Sequence, residues 1–421
     1  MRHPLDRTAR TLLANRSYDI EFHGYLTNHV KHAMVALNGL EAPPSRLQDY
    51  WDQYTAETPY GLTLDVIPPQ AWKDTIPATV EEFTTWRGAK VHWRRQVLFL
   101  QHELQTNYHG HVDDLIRRFA PELLPGMLGS LTHGIIHLGW AIDAHKADSE
   151  ATTFPLHQSS QWMILEGLAY LNFCHVGIDP ALFDWKANDN SDTTPMESFQ
   201  RVATIFESDN LKETWVHRVK TKYDETFHPE LVRAGFQWQV AKLAHEPHDI
   251  ATTLPAWLTT MDSSPLWEYL YRDITLIYLA TCNETTGQGN FLVLHLITSL
   301  WGVEQVCMVL KEEDALIRRA LGYYYAMTIL LLSAGSSGFP SHDSLQRIQR
   351  EYPRTAIDDR KAFDWRPIVD AAMAEVEEHN IKLVYVMREL WSRYGGWKGY
   401  SAAAKSFTVT PNIDVSLTTK A

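Results

Sequence analysis

The apolar residues of this chain recur three or four positions apart, which is the spacing of one face of an α-helix. The period runs through long segments at residues 24–40, 102–119, 127–146 and 227–246. Segments in which apolar and polar residues alternate, as they do in strands, are scarce. Thr194 and Pro195 have the form of a helix N-cap and first helical residue, and Gly39 and Gly395 are placed to end helices. The sequence therefore predicts an all-α protein.

The length of 421 residues would allow two or three average domains, but no linker divides the chain into parts with separate cores. The irregular stretches are a Pro-rich segment at 58–72, a polar loop at 185–195, and a tail at 401–421 that we expect to be extended or disordered. We find no internal repeat and no low-complexity tract. The sequence predicts a single multi-helix globular domain over residues 1–421, with 1–20 and 401–421 peripheral.

Charge and cysteine content limit the partners of the protein. The formal net charge is -13, and no basic stretch could follow a phosphate backbone, so we expect neither nucleic acid nor an anionic membrane as a partner. Cys174, Cys282 and Cys307 are isolated, which indicates reduced thiols. No apolar signal-peptide core and no uncharged run of about 18–20 apolar residues is present. We expect a soluble, cytoplasmic protein, and the sequence does not indicate an oligomeric state.

Histidines stand one helical turn apart inside the apolar segments. These residues, with one lysine a turn after the last of them, are His29, His32, His133, His137, His295, His379 and Lys382. Side chains three or four apart share a helix face, so each pair can point at one place. A single buried histidine is most often an ordinary core residue. Burying several without partners would cost about 1–3 kcal/mol for each unsatisfied group, so the set predicts a buried histidine cluster that binds a metal.

Small residues precede the histidine pair of the 127–146 segment. On a continuous helix, Gly126, Gly129 and Ser130 would share the face of His133 and His137, and Trp140 and Ala141 would extend it. Such a face leaves room for a metal, oxygen or a substrate. The alternative is close packing of two helices through the small residues, with the histidines as hydrogen-bonded spacers.

An apolar stripe through Ala372 and Val376 places His379 on the buried side of a helix and Lys382 at its border. On the same helix, Glu377 and Arg388 are expected on the opposite face, toward solvent. A buried ammonium is costly, so Lys382 should be paired with a carboxylate, deprotonated or chemically capped. Either Glu375 or Glu378 is spaced to pair with it. The alternative is a lysine whose amine reaches out to water.

Carbon dioxide could cap Lys382 as a carbamate, which would be an anionic oxygen ligand for a metal. Thr298 shares the helix face of His295 and could donate a hydrogen bond to that carbamate. Both statements are hypotheses about the metal site.

The sequence resembles the questin oxidase-like family of oxygenases from fungal aromatic polyketide pathways. The residues that carry the resemblance are Asn28, His29, His32, Ala36, Leu37, Gly39, Tyr50, Tyr54, the runs 132–139, 166–170 and 291–298 around His295, and 379–383. The resemblance implies oxidative cleavage of the central ring of an anthraquinone, by a Baeyer–Villiger-like oxygen insertion in secondary metabolism. Its partner would then be a small aromatic polyketide, and NADPH is a candidate co-substrate.

No flavin motif supports a flavin version of that reaction, because Gly287-Gln288-Gly289 lacks the third glycine and the strand context of a dinucleotide site. We therefore expect a mononuclear non-haem iron site (Fe2+/Fe3+) with O2 as co-substrate. Its candidate ligands are His29, His32, His133, His137, His295, His379 and Lys382, the last as a carbamate. The candidate catalytic residues are Lys382, Thr298 and Glu166. Aromatic walls for a tricyclic substrate could come from Tyr108, Trp140, Trp162, Tyr170 and Trp301, each of which could equally be ordinary core.

Two other classes of function stay open. A helical metal-dependent hydrolase would use pairs such as His248-Asp249 or His342-Asp343, although both lie in predicted loops. His111 and Asp113 match the His-x-Asp of β-barrel iron oxygenases, but they precede a helical segment. A non-catalytic polyketide-binding protein would need the aromatic residues and not the histidines.

Overall fold

The computed structural model describes residues 3–149, 158–185, 192–311, 313–336 and 338–411. The first helices are α1 (Arg7–Leu13), α2 (Val30–Gly39), α3 (Pro44–Ala56), α4 (Pro69–Asp74), α5 (Val80–Thr85), α6 (Trp93–Thr106) and α7 (Val112–Leu123). They are followed by α8 (His133–Ser149), α9 (Gln158–Phe173), α10 (Pro195–Ser208), α11 (Arg218–Lys222), α12 (Phe236–His245), α13 (Asp249–Thr252) and α14 (Trp257–Thr260). The last are α15 (Ser263–Ala280), α16 (Phe291–Val309), α17 (Asp314–Ala334), α18 (His342–Glu351), α19 (Arg366–Ala374), α20 (Glu378–Arg393) and α21 (Lys398–Ala403).

The strands are β1 (Glu21–Phe22) and β2 (Leu26–Thr27), an antiparallel pair with Glu21 opposite Thr27. Short 3-10 turns lie at Leu124–Gly126, Gly129–Thr132, Pro180–Leu182 and Pro229–Ala234, and a π-helical turn at Lys212–His217. Within the described residues these are minor features beside the helices, so the all-α prediction is confirmed.

One continuous apolar core joins the helices, and α16 runs through it. By length and composition α16 is apolar enough to cross a membrane, yet 89% of its most apolar 18-residue stretch is buried inside the protein, as in the core helix of a globular fold. Helix α8 packs against both α9 and α16, α20 packs on α16, and α2 packs on α8 and α20.

Glycines set the close approach of α8 to its neighbours. A Cβ on Gly139 would lie 2.1 Å from the Cα of Gly302 in α16, and a Cβ on Gly302 would lie 2.5 Å from the carbonyl oxygen of Ile135. Toward α9, a Cβ on Gly167 would lie 2.6 Å from the Cα of Leu138. No side chain larger than hydrogen fits at these crossings, so the glycines allow the backbones of α8 and α16 to lie in contact.

The predicted helix ends agree with the structure at several places. Thr194 accepts a hydrogen bond from the amide of Glu197, whose side chain returns to the cap, and Pro195 is the first residue of α10. Helix α2 ends at Gly39. Gly395 has a φ of +84°, just after the end of α20.

Three predicted helical segments are interrupted. The 102–119 segment is divided by a turn between α6 and α7, where Gly110 has a φ of +86°. The 227–246 segment begins as the 3-10 turn Pro229–Ala234 and becomes α-helical only at Phe236. The 127–146 segment becomes α-helical only at His133, because Ser130, Leu131 and Thr132 have φ values of +46°, +52° and +68°. Apolar spacing alone does not reveal these positive-φ turns.

The C-terminal tail was predicted to be peripheral. Its described part runs over the start of α20, where the Thr408 amide donates to Asn380 Oδ1 at 2.8 Å and Asn380 Nδ2 donates to the Thr408 carbonyl at 3.1 Å. The Thr410 hydroxyl donates to Glu377. Residues 412–421 of the tail and 186–191 of the predicted polar loop lie outside the described residues.

Candidate metal centre

All the histidines of the predicted set meet in the middle of the molecule. His29 is the N-cap of α2 and His32 lies in its first turn. His133 opens α8, with His137 one turn later, while His295 comes from α16 and His379 from α20. The rings and Lys382 are all buried, with at most 6% of any side chain exposed. Residues separated by as much as 353 positions in the chain thus form one cluster.

The inner part of the cluster is a row of imidazole nitrogens. His133 Nε2 and His295 Nε2 are 3.2 Å apart, and His295 Nε2 and His379 Nε2 are also 3.2 Å apart. The His29 ring lies 4.6 Å from the rings of both His133 and His379, measured between centroids. His29, His133 and His379 each offer one ring nitrogen, and these nitrogens lie within 4.8 Å of one another.

The opposite nitrogen of each inner ring is held by an oxygen. His133 Nδ1 is 2.5 Å from the Ser130 carbonyl oxygen, and His295 Nδ1 is 2.8 Å from the Phe291 carbonyl oxygen. His379 Nδ1 is 2.6 Å from Glu377 Oε1. Because an oxygen acceptor fixes the proton on Nδ1, each neutral ring presents an unprotonated Nε2 to the centre.

The facing Nε2 atoms are spaced to share a cation. Burial, reinforced by neighbouring imidazoles and Lys382, lowers the pKa of His133 and His379. The pKa of His295 is lowered to about 3, again mainly by burial and then by Lys382. The rings are therefore neutral, and unprotonated nitrogens 3.2 Å apart would repel each other. Imidazole nitrogens about 2.0–2.1 Å from one metal ion would lie roughly 3.0–3.4 Å apart, so the observed spacing fits a shared metal.

Lys382 and His29 adjoin this row. Lys382 Nζ is 3.2 Å from His29 Nδ1, and no carboxylate of the described chain forms an ion pair with this amine. Burial lowers the pKa of Lys382 to about 8, against the opposing effect of Glu378 and Glu377. The amine therefore loses its proton at lower pH than an ordinary lysine, and the neutral amine is the state that can add carbon dioxide. Glu375, one of the two partners considered for Lys382, instead accepts a hydrogen bond from Asn380 Nδ2 at 2.9 Å.

A chain of polar contacts leads outward from His29. His29 Nδ1 and His32 Nδ1 are 3.0 Å apart, and His32 Nε2 and His137 Nδ1 are 2.9 Å apart. His137 Nε2 lies 3.4 Å from Glu166 Oε2, and Glu166 also binds Lys31 Nζ at 2.7 and 2.8 Å. Burial alone would raise the pKa of Glu166, but Lys31 and His137 outweigh it and hold that pKa below its usual value. Glu166 is thus a buried carboxylate at the outer end of the histidine chain.

Glu377 was predicted to face solvent, and this was wrong. Helix α19 ends at Ala374 and α20 begins at Glu378, so the apolar stripe through Val376 is not one helix. In the break, Glu377 becomes the N-cap of α20 and is only 3% exposed, whereas Val376 is 47% exposed. The Glu377 carboxylate accepts from the amide of His379 as well as lying against its ring. With Glu378 and His379 it forms a second group whose ligand atoms lie within 4.8 Å of one another.

The small residues before His133 do not share its helix face, contrary to the prediction. A Cβ on Gly126 would lie 2.1 Å from the His175 ring, and one on Gly129 would lie 1.5 Å from the Cys174 carbonyl oxygen. These glycines admit the loop after α9, so the packing alternative holds for them. The Ser130 side chain donates to Glu21 Oε1 at 2.7 Å, while its carbonyl anchors His133.

The Thr298 hydroxyl contacts its own helix, and two of the predicted aromatic rings lie near the histidines. The Thr298 hydroxyl lies 3.4 Å from the carbonyl oxygens of Leu294 and His295. The Trp140 ring is 6.4 Å from His32, and the Tyr170 ring is 6.4 Å from His137.

The other predicted aromatic residues are farther out. Trp162 donates to Glu166 at 2.8 Å. Trp301 donates to Asp143 at 3.1 Å, and its ring packs against that of Tyr385. Tyr108 is half-buried in the turn between α6 and α7. The structure thus places Trp140 and Tyr170 beside the histidines. Trp162 contacts Glu166, which in turn contacts His137, and Tyr108 is not part of the site.

The residues of the alternative metal sites have other roles in the structure. The His248 side chain accepts a hydrogen bond from the Ile250 amide as the N-cap of α13. His342 lies in the first turn of α18 near Gln346. His111 is the N-cap of α7, with Asp113 exposed beside it.

Sequence reasoning missed the partners that orient the histidines. The carbonyls of Ser130 and Phe291 leave no mark in the sequence. Glu377 could have been found as an acidic residue two positions before His379, at a helix start. Tyr54, whose hydroxyl accepts from the His29 amide at 3.2 Å, was noted only as part of the family resemblance.

Most of the chain matches one known protein family. A family model described as Questin oxidase-like matches residues 26–387, which include every histidine of the cluster. No curated protein matches the chain.

Proposed function

The chain belongs to the questin oxidase-like family, and from this premise we propose that it is a non-haem iron oxygenase that opens the central ring of an anthraquinone. The family itself suggests an oxygenase acting on anthraquinones. The iron dependence and the reaction course are our proposal. The observation that carries it is the row of unprotonated Nε2 atoms of His133, His295 and His379, each oriented by an oxygen on its far side.

His29, His133, His295 and His379 are the side chains that we propose to hold the metal, with Lys382 as a carbamate completing the set. His32 and His137 were also candidate ligands, and their contacts assign them instead to the chain that leads to Glu166. Imidazole suits iron among the metals used for oxygen chemistry. Bound there, iron would supply the one-electron steps by which dioxygen reacts with a closed-shell aromatic ring.

The protein contributes orientation and exclusion of water. Burial of the cluster keeps the imidazoles neutral and available as ligands. Trp140 and Tyr170 lie beside the outer histidines and would shield this side of the site. In this proposal Glu166 holds His137 in place, and Thr298 lies one turn after His295 to support a carbamate on Lys382.

The proposed reaction inserts one oxygen atom of O2 between the quinone carbonyl carbon and the adjacent ring carbon, which breaks that C–C bond and forms a lactone. Water then adds to the lactone carbonyl and the acyl C–O bond breaks, which leaves a benzophenone bearing a carboxylic acid and a phenol. The second oxygen atom leaves as water, formed with two electrons from NADPH and two protons. Labelling with 18O2 distinguishes this course from insertion of both atoms.

Oxygen uptake tests the proposal. Protein reconstituted anaerobically with Fe2+ is given 1,8-dihydroxyanthraquinone, NADPH and O2, and uptake and product mass are measured. We expect uptake with a ring-opened product, loss of both on chelation, and loss of both in His133→Ala. His342→Ala, which changes a histidine outside the cluster, should behave as the unsubstituted protein. Uptake that persists after complete removal of metal would refute the iron proposal.

A further inference from the structure

A cleft of about 280 Å³ opens beside the histidine cluster, between the end of α3 and the break before α20. Its lining residues are Tyr50, Gln53, Tyr54, Ala56, Glu57, Thr58, Pro59 and Val376. Gln53 and Glu57 are exposed at its edge, whereas Tyr50 and Tyr54 are buried at its base. The cleft thus has a polar rim and an aromatic floor, which is the usual make-up of a small-molecule site.

The floor of the cleft is also the wall of the proposed metal centre. The Tyr54 hydroxyl oxygen accepts a hydrogen bond from the backbone amide of His29 at 3.2 Å. On the other side, Val376 lies one residue before Glu377, the residue that orients His379. Tyr60, in the same loop region as Thr58 and Pro59, donates from its hydroxyl to Glu378 Oε1 at 3.3 Å. Tyr54 therefore lines the cleft and also contacts the backbone of His29.

The shape of the floor favours a flat ring system. The Tyr50 and Tyr54 rings are stacked, with centroids 5.9 Å apart and planes inclined by 25°. The Tyr50 hydroxyl is occupied, because it donates to the Val376 carbonyl at 3.0 Å. The Tyr54 hydroxyl accepts from His29, and within the described residues its own proton has no acceptor. A ligand lying on this floor would meet an aromatic surface and one free O–H donor.

We propose that this cleft receives a planar, oxygen-bearing aromatic molecule, and that the Tyr54 hydroxyl donates to a carbonyl or phenol oxygen of it. The volume is close to the lower end of ligand sites, about 300 Å³, so it suits one three-ring molecule and is far too small for a dinucleotide. This inference takes its ligand class from the proposed function and adds the entrance site and a specificity residue. Tyr54 would hold the substrate on the side of the cluster nearest His29.

The test measures binding of 1,8-dihydroxyanthraquinone to metal-free protein, by its absorbance change, in the absence of NADPH. Val376→Trp places a large side chain at the rim of the cleft, at a residue that is 47% exposed and so tolerates replacement. Its matched control is Ile76→Trp, at a residue 74% exposed on the edge of a separate cleft of about 700 Å³ lined by Arg94 and Asp19. We expect Val376→Trp to weaken binding at least about 10-fold and Ile76→Trp to leave it unchanged.

The donor role of Tyr54 is tested by Tyr54→Phe. Loss of one hydrogen bond should weaken binding about 3- to 10-fold. Tyr324→Phe is the control, because it removes another buried hydroxyl, which donates to the Leu296 carbonyl at 2.8 Å away from the cleft. The control should lose stability and keep its affinity for the anthraquinone. Equal affinities for Tyr54→Phe and the unsubstituted protein would refute the donor role.

Binding blocked by Ile76→Trp and unaffected by Val376→Trp would overturn the proposal and place the ligand in the larger cleft. Absence of any binding to metal-free protein would overturn it as well. Because no metal, reductant or turnover enters the measurement, its result is separate from that of the oxygen-uptake experiment. Binding that Val376→Trp blocks, in a protein that consumes no oxygen, would support the cleft and contradict the oxygenase.

Discussion

At the scale of single residues, the site depends on which nitrogen of each ring is free. His379 presents Nε2 to the centre because Glu377 holds its Nδ1 at 2.6 Å. Partners of this kind fix the tautomer and raise the basicity of a ligand, and their loss typically costs 10- to 100-fold in metal affinity. Glu377 is therefore as important to the proposed metal site as a ligand.

Glu377→Gln should weaken Fe2+ binding by about 10- to 100-fold, because the amide is a weaker acceptor for the His379 Nδ1 proton. The affinity is measured by competition with a chelator under anaerobic conditions. Glu41→Gln is the control, since Glu41 pairs with Arg388 at the surface. Unchanged affinity in Glu377→Gln would show that the carboxylate does not orient the ring.

Lys382 gives a prediction for pH dependence. Burial lowers its pKa in the folded state to about 8, from an ordinary value of 10.5. Between these values the unfolded chain binds a proton that the folded protein has lost, so the stability of the folded state rises with pH. The penalty for the buried ammonium is complete below about pH 8 and is relieved toward pH 10.5.

The free energy of unfolding of the unsubstituted protein is compared with that of Lys382→Met in metal-free, CO2-free buffer. The value for the unsubstituted protein should rise relative to that of the variant between about pH 8 and pH 10.5, by up to about 3 kcal/mol. Urea unfolding at several pH values measures it. Added bicarbonate should flatten the dependence if the amine becomes a carbamate. A dependence that bicarbonate leaves unchanged would contradict carboxylation of Lys382.

The histidines could be predicted from the sequence because several stand one turn apart in apolar segments. Their orienting partners could not, since two of them are backbone carbonyls, of Ser130 and Phe291. Glu377 was assigned to the wrong face because an apolar spacing of three to four does not show where a helix is interrupted. Because the helix is interrupted at 375–377, Glu377 becomes the N-cap of α20 and is buried.

At the scale of helices, the contact of Gly139 with Gly302 controls how near α8 comes to α16. In an exposed helix, Gly→Ala would stabilise by about 1 kcal/mol. Here the added carbon would meet the backbone of the other helix at 2.1 Å, so the helices would have to separate. His133 and His295, one from each helix, would then move apart.

Gly139→Ala should therefore destabilise the protein by about 1–3 kcal/mol and also lower its metal content. Urea unfolding and metal analysis measure the two effects. Gly335→Ala is a suitable control, because its added carbon would come no nearer than 3.3 Å to any neighbour, namely the end of the Leu292 side chain and the Leu332 carbonyl oxygen. Full metal content in a destabilised Gly139→Ala protein would show that this crossing does not set the distance between the histidines.

Helix type was more predictable than helix length. Apolar spacing, the Thr194 cap and the glycine stops identify α10, α2 and the end of α20. Positive-φ turns such as Ser130–Thr132 interrupt segments whose spacing looks continuous, because they are imposed by packing against other parts of the chain.

At the scale of the whole molecule, the cluster exists only when α2, α8, α16 and α20 pack together. The sequence predicted one domain because scattered histidines would have to converge, and the structure shows that convergence. It could not predict which nitrogens meet, since contacts such as His295 to His379, 84 residues apart, depend on the complete fold. A bound metal would tie the helices together and stabilise the folded state by about 2.7 kcal/mol at 100 times its dissociation constant.

The most direct test of the metal site is the stoichiometry of Fe2+ bound by the anaerobically purified protein, measured by equilibrium dialysis and elemental analysis. We expect about one tightly bound iron per chain, lost in His295→Ala, with the variant still folded by circular dichroism. His248→Ala, outside the cluster, should retain the metal. A protein that binds no metal, or a folded His295→Ala variant that keeps it, would contradict the proposed metal centre.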